Sequence, residues 1–134
     1  MGRKYLDLSA RLAALAFLGL ALLASFSSAA VAAEPFNDVA FDAAQRANKT
    51  ILLDVTASWC PVCRIQGLII RRAEARMPQF VVFTIDFDKD TDLLKRFDVS
   101  YQSTLIVMKG TKELSRSTGD TNEDRIDAMI QQGL

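Results

Sequence analysis

Ile51-Leu52-Leu53-Asp54-Val55-Thr56-Ala57-Ser58-Trp59-Cys60-Pro61-Val62-Cys63-Arg64-Ile65-Gln66-Gly67-Leu68-Ile69-Ile70 changes its periodicity in the middle. Ile51 to Ala57 is short, apolar and partly β-branched, as a buried strand is, whereas from Arg64 onward the apolar residues recur at helical spacing with arginines on the other face. The two cysteines therefore stand at a strand-to-helix junction. Pro61 suits the first helical turn, where its missing N–H is not needed and its fixed φ already fits, so Cys60 is expected at the N-cap. Unpaired N–H groups and the positive end of the helix dipole stabilise an anion at that position, which lowers a thiol pKa. Cys63, three residues on, faces the same side within bonding reach. The pair is thus suited to cycle between dithiol and disulfide, with Cys60 attacking a substrate disulfide and Cys63 resolving the mixed disulfide. A zinc half-site or a static disulfide are the alternatives. With two cysteines and no histidine, one chain cannot supply the usual four zinc ligands.

Trp59-Cys60-Pro61-Val62-Cys63, with Asp54 on the preceding strand, resembles the active site of the thioredoxin superfamily, in particular its small periplasmic domains. The order of elements extends the resemblance from about Phe36 to Leu134. It implies a thiol-disulfide oxidoreductase that needs no organic cofactor, and a proton-accepting role for Asp54.

The start of the chain reads as an export leader. Arg3, Lys4 and Arg11 are basic, Leu12 to Ala24 is uninterruptedly apolar, and Ala30-Val31-Ala32 offers small residues for cleavage. The apolar run is short of the about 20 residues a spanning helix needs, so a Sec-type signal peptide over 1–32 is expected rather than a membrane anchor. Residues 33–134 then form one compact domain. The whole chain has 16 basic and 16 acidic residues; without the three basic and one acidic residue of the leader, 13 and 15 remain, a net charge of −2. Such a balance carries no electrostatic footprint for nucleic acid. In an oxidising compartment a CxxC pair rests as a disulfide unless something reduces it, so a membrane-bound electron donor is expected beside a protein disulfide or dithiol substrate, with the domain acting as a monomer.

Beyond the junction, the pattern predicts a helix from Asn37 or Asp38 to about Asn48, the strand Ile51 to Ala57, the active-site helix from Cys60 to about Arg76, and a strand over Gln79 to Asp86. A short helix capped within Asp88 to Asp92 comes next, then a hairpin of Thr104 to Met108 and Glu113 to Arg116, then a last helix starting near Thr121 with Asp124 in capping-box position. The fold expected is α/β and thioredoxin-like. Its four-stranded mixed sheet has order 2-1-3-4, with helices on its faces and one extra N-terminal helix. In open sheets of this kind the site lies at the carboxyl end of the central strand, where Cys60 falls.

Several neighbours of the sulfurs carry expectations. Asp54 lies inside an apolar strand, so its pKa should be raised, which suits a base for the Cys63 proton. Trp59 is expected to cover one side of the site, and Pro61 to lie in the docking surface. Thioredoxin-like domains usually carry a cis-proline just before the third strand, and Ser103 stands there instead. A cis bond before serine costs about 2.5–4 kcal/mol, so a trans or strained residue is expected. Gln102, Ser103 and Thr104 would then form the substrate edge, with the Gln102 amide and Ser103 hydroxyl as added hydrogen-bonding groups. The basic run Arg64, Arg71, Arg72, Arg76 reads as a solvated helix face. Without a histidine or extra positive charge between the cysteines, the pair leans toward a reductase or shuttle over a strong oxidant. The competing function is a binding module in which the same two thiolates carry Cu(I), or two chains share an iron–sulfur cluster.

Overall fold

A computed structural model describes residues 33–134. The expected leader over 1–32 lies outside them, and among the described residues no helix is long and apolar enough to cross a membrane. In chain order the elements are β1 (Glu34–Pro35), α1 (Asp38–Arg46), β2 (Thr50–Thr56), α2 (Pro61–Arg76), β3 (Phe80–Asp86), α3 (Thr91–Arg96), β4 (Thr104–Lys109), β5 (Lys112–Thr118) and α4 (Glu123–Gln131).

The sheet has five strands in the order β1-β3-β2-β4-β5, one more than the sequence pattern predicts. The other four keep the expected arrangement: β2 pairs in parallel with β3 and antiparallel with β4, and β5 closes a hairpin on β4. The added strand comes from Glu34 and Pro35, expected as a polar lead, which align with Phe83 and Thr84 of β3. Two residues have no periodicity to read. Phe36 holds them in place, its N–H donating to the Thr84 carbonyl at 2.9 Å. The Phe36 ring then joins Phe41, Phe83 and Phe97, with centroids 5.0 to 5.9 Å from its own. The Arg96 guanidinium lies 5.2–5.6 Å from the centres of Phe36, Phe41 and Phe97.

Alternation along β2 and β4 feeds two core layers. Ile51, Leu53, Val55, Ile106 and Met108 pack with Phe41 and Ala44 of α1, while Leu52, Leu105 and Val107 pack with Ile69, Ile70 and Ala73 of α2 and Ile126 and Ile130 of α4. The central strand is thereby buried on both faces, and its carboxyl end delivers the chain straight into the cysteine loop.

Helix ends depart slightly from expectation. Asn37 caps α1, its Oδ1 accepting from the Ala40 N–H at 3.0 Å. That helix stops at Arg46 because Asn48 turns to φ +50, a left-handed conformation asparagine tolerates. The last helix is capped by Asn122 rather than by a Thr121/Asp124 box: the Asn122 Oδ1 accepts from the Arg125 N–H at 2.9 Å, and asparagine outranks threonine at this position. Before α3, Asp90 gives no side-chain cap and instead accepts the Asp86 N–H at 2.8 Å, folding the loop back on the end of β3.

Candidate active site

Cys60 occupies the N-cap of α2 and Pro61 its first position, as the junction predicts. The Cys60 Sγ accepts a hydrogen bond from the Cys63 N–H at 3.1 Å, so a helix-terminal donor already points at this sulfur. Cys60 and Cys63 form a disulfide with their Cα atoms 5.3 Å apart. They are 2% and 4% exposed and pack with Ala57, Val62 and Phe87. Phe87 arrives there because its N–H bonds the Thr56 carbonyl at 2.8 Å, tying the loop after β3 to the end of β2.

Asp54 is buried, and its Oδ1 has no hydrogen-bond partner in the protein. Burial disfavours the charged form and pushes its carboxyl up to about 6. Asp54 and Cys63 both line one cavity of about 780 Å³, whose wall also includes Thr56, Arg71, Glu74 and Asp86. Burial raises the Glu74 carboxyl too, against the opposing charge of Arg71. Asp86, on the same cavity wall, is held below its ordinary value, chiefly by the hydrogen bond from Lys89.

Trp59 is 55% exposed, and its indole N–H donates to the Asp88 carboxylate at 2.8 Å. It flanks the disulfide with one face in solvent. Pro61 is exposed at the start of the helix. Both can meet a docking polypeptide.

The loop before β4 behaves as the missing proline suggests. Among the described residues every peptide bond is trans, and Ser103 sits at φ +57. A non-glycine residue in that region is uphill by about 1–2 kcal/mol. Pairing of Val55 with Thr104 sets Ser103 level with Thr56, the last residue of β2, from which the chain enters the cysteine loop. The hydroxyls at this edge are engaged within the protein, whereas the sequence reading has the Ser103 hydroxyl available as an added hydrogen-bonding group. Ser103 is 6% exposed and its Oγ donates to the Gln102 carbonyl at 2.6 Å, while the Thr104 Oγ1 donates to the Tyr101 carbonyl at 2.8 Å and lies 2.9 Å from the Thr118 hydroxyl. What remains outward at this edge is half-buried Gln102 and exposed Tyr101.

The basic run on α2 divides. Arg72 and Arg76 reach Glu123, and Arg76 also Asp127, at 2.5–2.9 Å, joining α2 to α4, whereas Arg64 and Arg71 line the cavity beside Cys63. Residues that sequence reasoning left without a role are Phe87 behind the sulfurs, Asp88 under Trp59, and Gln66. Of these, Gln66 leaves a legible trace, a lone amide at the Cys63-to-Ile70 spacing of the apolar face. Among the described residues no group of three or more histidine, cysteine, aspartate or glutamate side chains is arranged to hold a metal ion.

A helix-capping disulfide at the carboxyl end of a central parallel strand, with a buried carboxyl on that strand, defines a protein of thiol-disulfide exchange. Residues 32–132 match the family model described as Thioredoxin. The thioredoxin H-type of Brassica campestris is 35% identical over 82 residues, covering 61% of this chain and 67% of that protein. Thioredoxin H4 of Arabidopsis thaliana is 33% identical over 87 residues, or 64% of this chain and 73% of the relative. Among solved structures, Trxlp from Edwardsiella tarda EIB202 superposes with a TM-score of 0.70 at 36% identity, covering 73% of this chain and 97% of its own. The Nicotiana alata thioredoxin NaTrxh has the same fold, with a TM-score of 0.69 at 24% identity over 77% of this chain and 93% of its own. The chain belongs to the thioredoxin family and is a thiol-disulfide oxidoreductase with a CxxC pair, acting as thioredoxins do on protein disulfides.

Proposed function

We propose that the chain is an exported thioredoxin that works as a monomeric reductase or shuttle, with Cys60 as nucleophile, Cys63 as resolving thiol and Asp54 as proton acceptor. The observation that carries this reading is the asymmetry of the two sulfurs. Cys60 caps the helix and accepts its N–H, while Cys63 lies within the first turn and lines the cavity it shares with Asp54. The Cys60 thiolate attacks one sulfur of the substrate disulfide, forming a mixed disulfide and releasing one substrate thiolate. Cys63 then gives its proton to Asp54 and attacks the Cys60 sulfur, so the second substrate thiolate leaves. Two electrons pass to the substrate, whose thiolates take up protons, and the pair ends as the disulfide. A membrane-bound donor of two electrons returns it to the dithiol. Trp59 and Pro61 beside the cysteines, with the Gln102–Thr104 loop at the end of β2, are the docking surface in this reading, supported by the exposure of Trp59 and Pro61 and by the pairing of Val55 with Thr104.

Equilibration of residues 33–134 with glutathione or dithiothreitol buffers tests the direction. A reversible two-electron couple at or below about −220 mV is expected; a value near about −120 mV would overturn the reductase reading in favour of an oxidant of exported thiols. Export, to the periplasm, rests on the basic, apolar and small-residue order of residues 1–32. Protein recovered from the periplasm is expected to begin at Ala33 or Glu34, and cytoplasmic protein with an intact N-terminus would refute export.

A further inference from the structure

Gln66 is fully buried on the helix that carries the cysteines, one turn beyond Cys63 and on the same face. Its Nε2 donates to the Ser103 carbonyl at 3.1 Å and to the Asp120 carbonyl at 2.9 Å. Both neighbours are acceptors, so chemistry alone fixes which end of the amide faces them. The Oε1 is buried without a partner. A buried amide that leaves its acceptor empty contributes here through its two donors.

Those donors hold the two ends of one hairpin. Ser103 precedes β4 and Asp120 comes after β5, and the Gly119 N–H closes the same gap by donating to the Ser103 carbonyl at 2.9 Å. The Ser103 oxygen thus has both lone pairs engaged, one by the hairpin itself and one by the active-site helix. Ser103 is held at φ +57 at this point, where no proline ring stiffens the backbone.

We propose that Gln66 is a positioning residue for substrate: it sets the height of the Gln102–Thr104 edge against Cys60, doing with a side-chain amide what a rigid ring would otherwise do. This rests on the reading of that edge as the place where a substrate polypeptide docks. Gln66 spends its donors on the hairpin ends and not on the sulfurs. Its loss therefore acts on the binding of an extended polypeptide and leaves sulfur chemistry alone. A small disulfide that reaches Cys60 without lying along the edge is insensitive to it.

The test compares wild type and Gln66→Leu on insulin, a protein disulfide, and on dithiodipyridine, a small one, both with dithiothreitol as reductant. Losing two donors to backbone carbonyls raises KM for insulin about fivefold, with kcat and the rate on dithiodipyridine nearly unchanged. Faster deuterium exchange at the Gly119 amide accompanies it. Gln66→Met, unbranched like glutamine but without a donor, serves as the second variant if leucine prevents folding. An unmoved KM for insulin in a wild-type-active background overturns the inference alone, and so does an equal loss on both substrates, which marks general damage. A wild-type chain that turned over neither disulfide would overturn the exchange reading, and this inference with it.

Discussion

Cys60→Ser is expected to lose disulfide reduction by about 10³-fold or more, because a serine hydroxyl at neutral pH supplies almost no anion to attack sulfur. The N-cap position gives this sulfur its advantage. An N–H donor and the positive helix terminus lie against it in the folded chain, and neither has to be organised at the moment of reaction. Cys63→Ser should behave differently. With the attacking thiol intact and the resolving one gone, the first half-reaction proceeds and stops, and the substrate stays bound to Cys60 as a mixed disulfide visible by intact mass. Undiminished turnover in Cys60→Ser, or a Cys63→Ser variant that forms no mixed disulfide, would refute the assignment of roles.

Asp54→Asn is expected to make the oxidised protein more stable at pH 7 and a poorer catalyst. Burial raises the carboxyl from 3.8 to about 6, a difference corresponding to about 3 kcal/mol between its two protonation states. The native state binds this proton more tightly than the unfolded state does. The stability it contributes is complete below about pH 3.8 and is lost as pH rises through about 6, so at pH 7 the wild type carries an ionised carboxylate in a site that disfavours it. Asparagine is neutral throughout. Its advantage, up to about 3 kcal/mol at pH 7, should close below about pH 4 in urea titrations, and equal midpoints at pH 4 and 7 would contradict a buried titrating carboxyl. Turnover should fall about 10-fold to 100-fold as the resolving thiol loses its base, and the rise of the wild-type rate through about pH 6 should disappear. A variant more stable but equally active would leave Asp54 a structural burden without a task.

The legibility of the fold and the site depended on where each signal sits along the chain. The junction of β2 and α2 is local: seven strand residues, a proline at the first helical position and a run of helical spacing agree within about twenty positions, so the placement of Cys60 and Cys63 and the burial of Asp54 could be read directly. The Ser103 backbone could be anticipated as trans, since nothing there offsets the cost of a cis serine bond. The engagement of the Ser103 and Thr104 hydroxyls within the protein could not, because it depends on carbonyls that the loop brings into reach only once closed. Glu34 and Pro35 form a strand next to a Phe36 whose ring meets nearby Phe41 and, far along the chain, Phe83 and Phe97. Arg72 and Arg76 read as a solvated face because Glu123 and Asp127 lie about fifty residues away, on a helix that packs beside them only in the fold. What Gln66 bonds was hidden for the same reason. Its two carbonyl partners are 37 and 54 residues off.

The same short first strand bears on how the molecule meets its own copies. Open sheets invite growth by addition of further strands, and crowded or unfolding chains exploit such borders to polymerise. Here one border ends in a two-residue strand whose second member, Pro35, has no N–H to offer, and the other is β5, studded with Lys112, Glu113 and Arg116. Among the described residues, a proline stands at one margin and charged side chains at the other. A variant that lengthened β1 or neutralised the charges of β5 would turn a border of a catalyst into a template for growth.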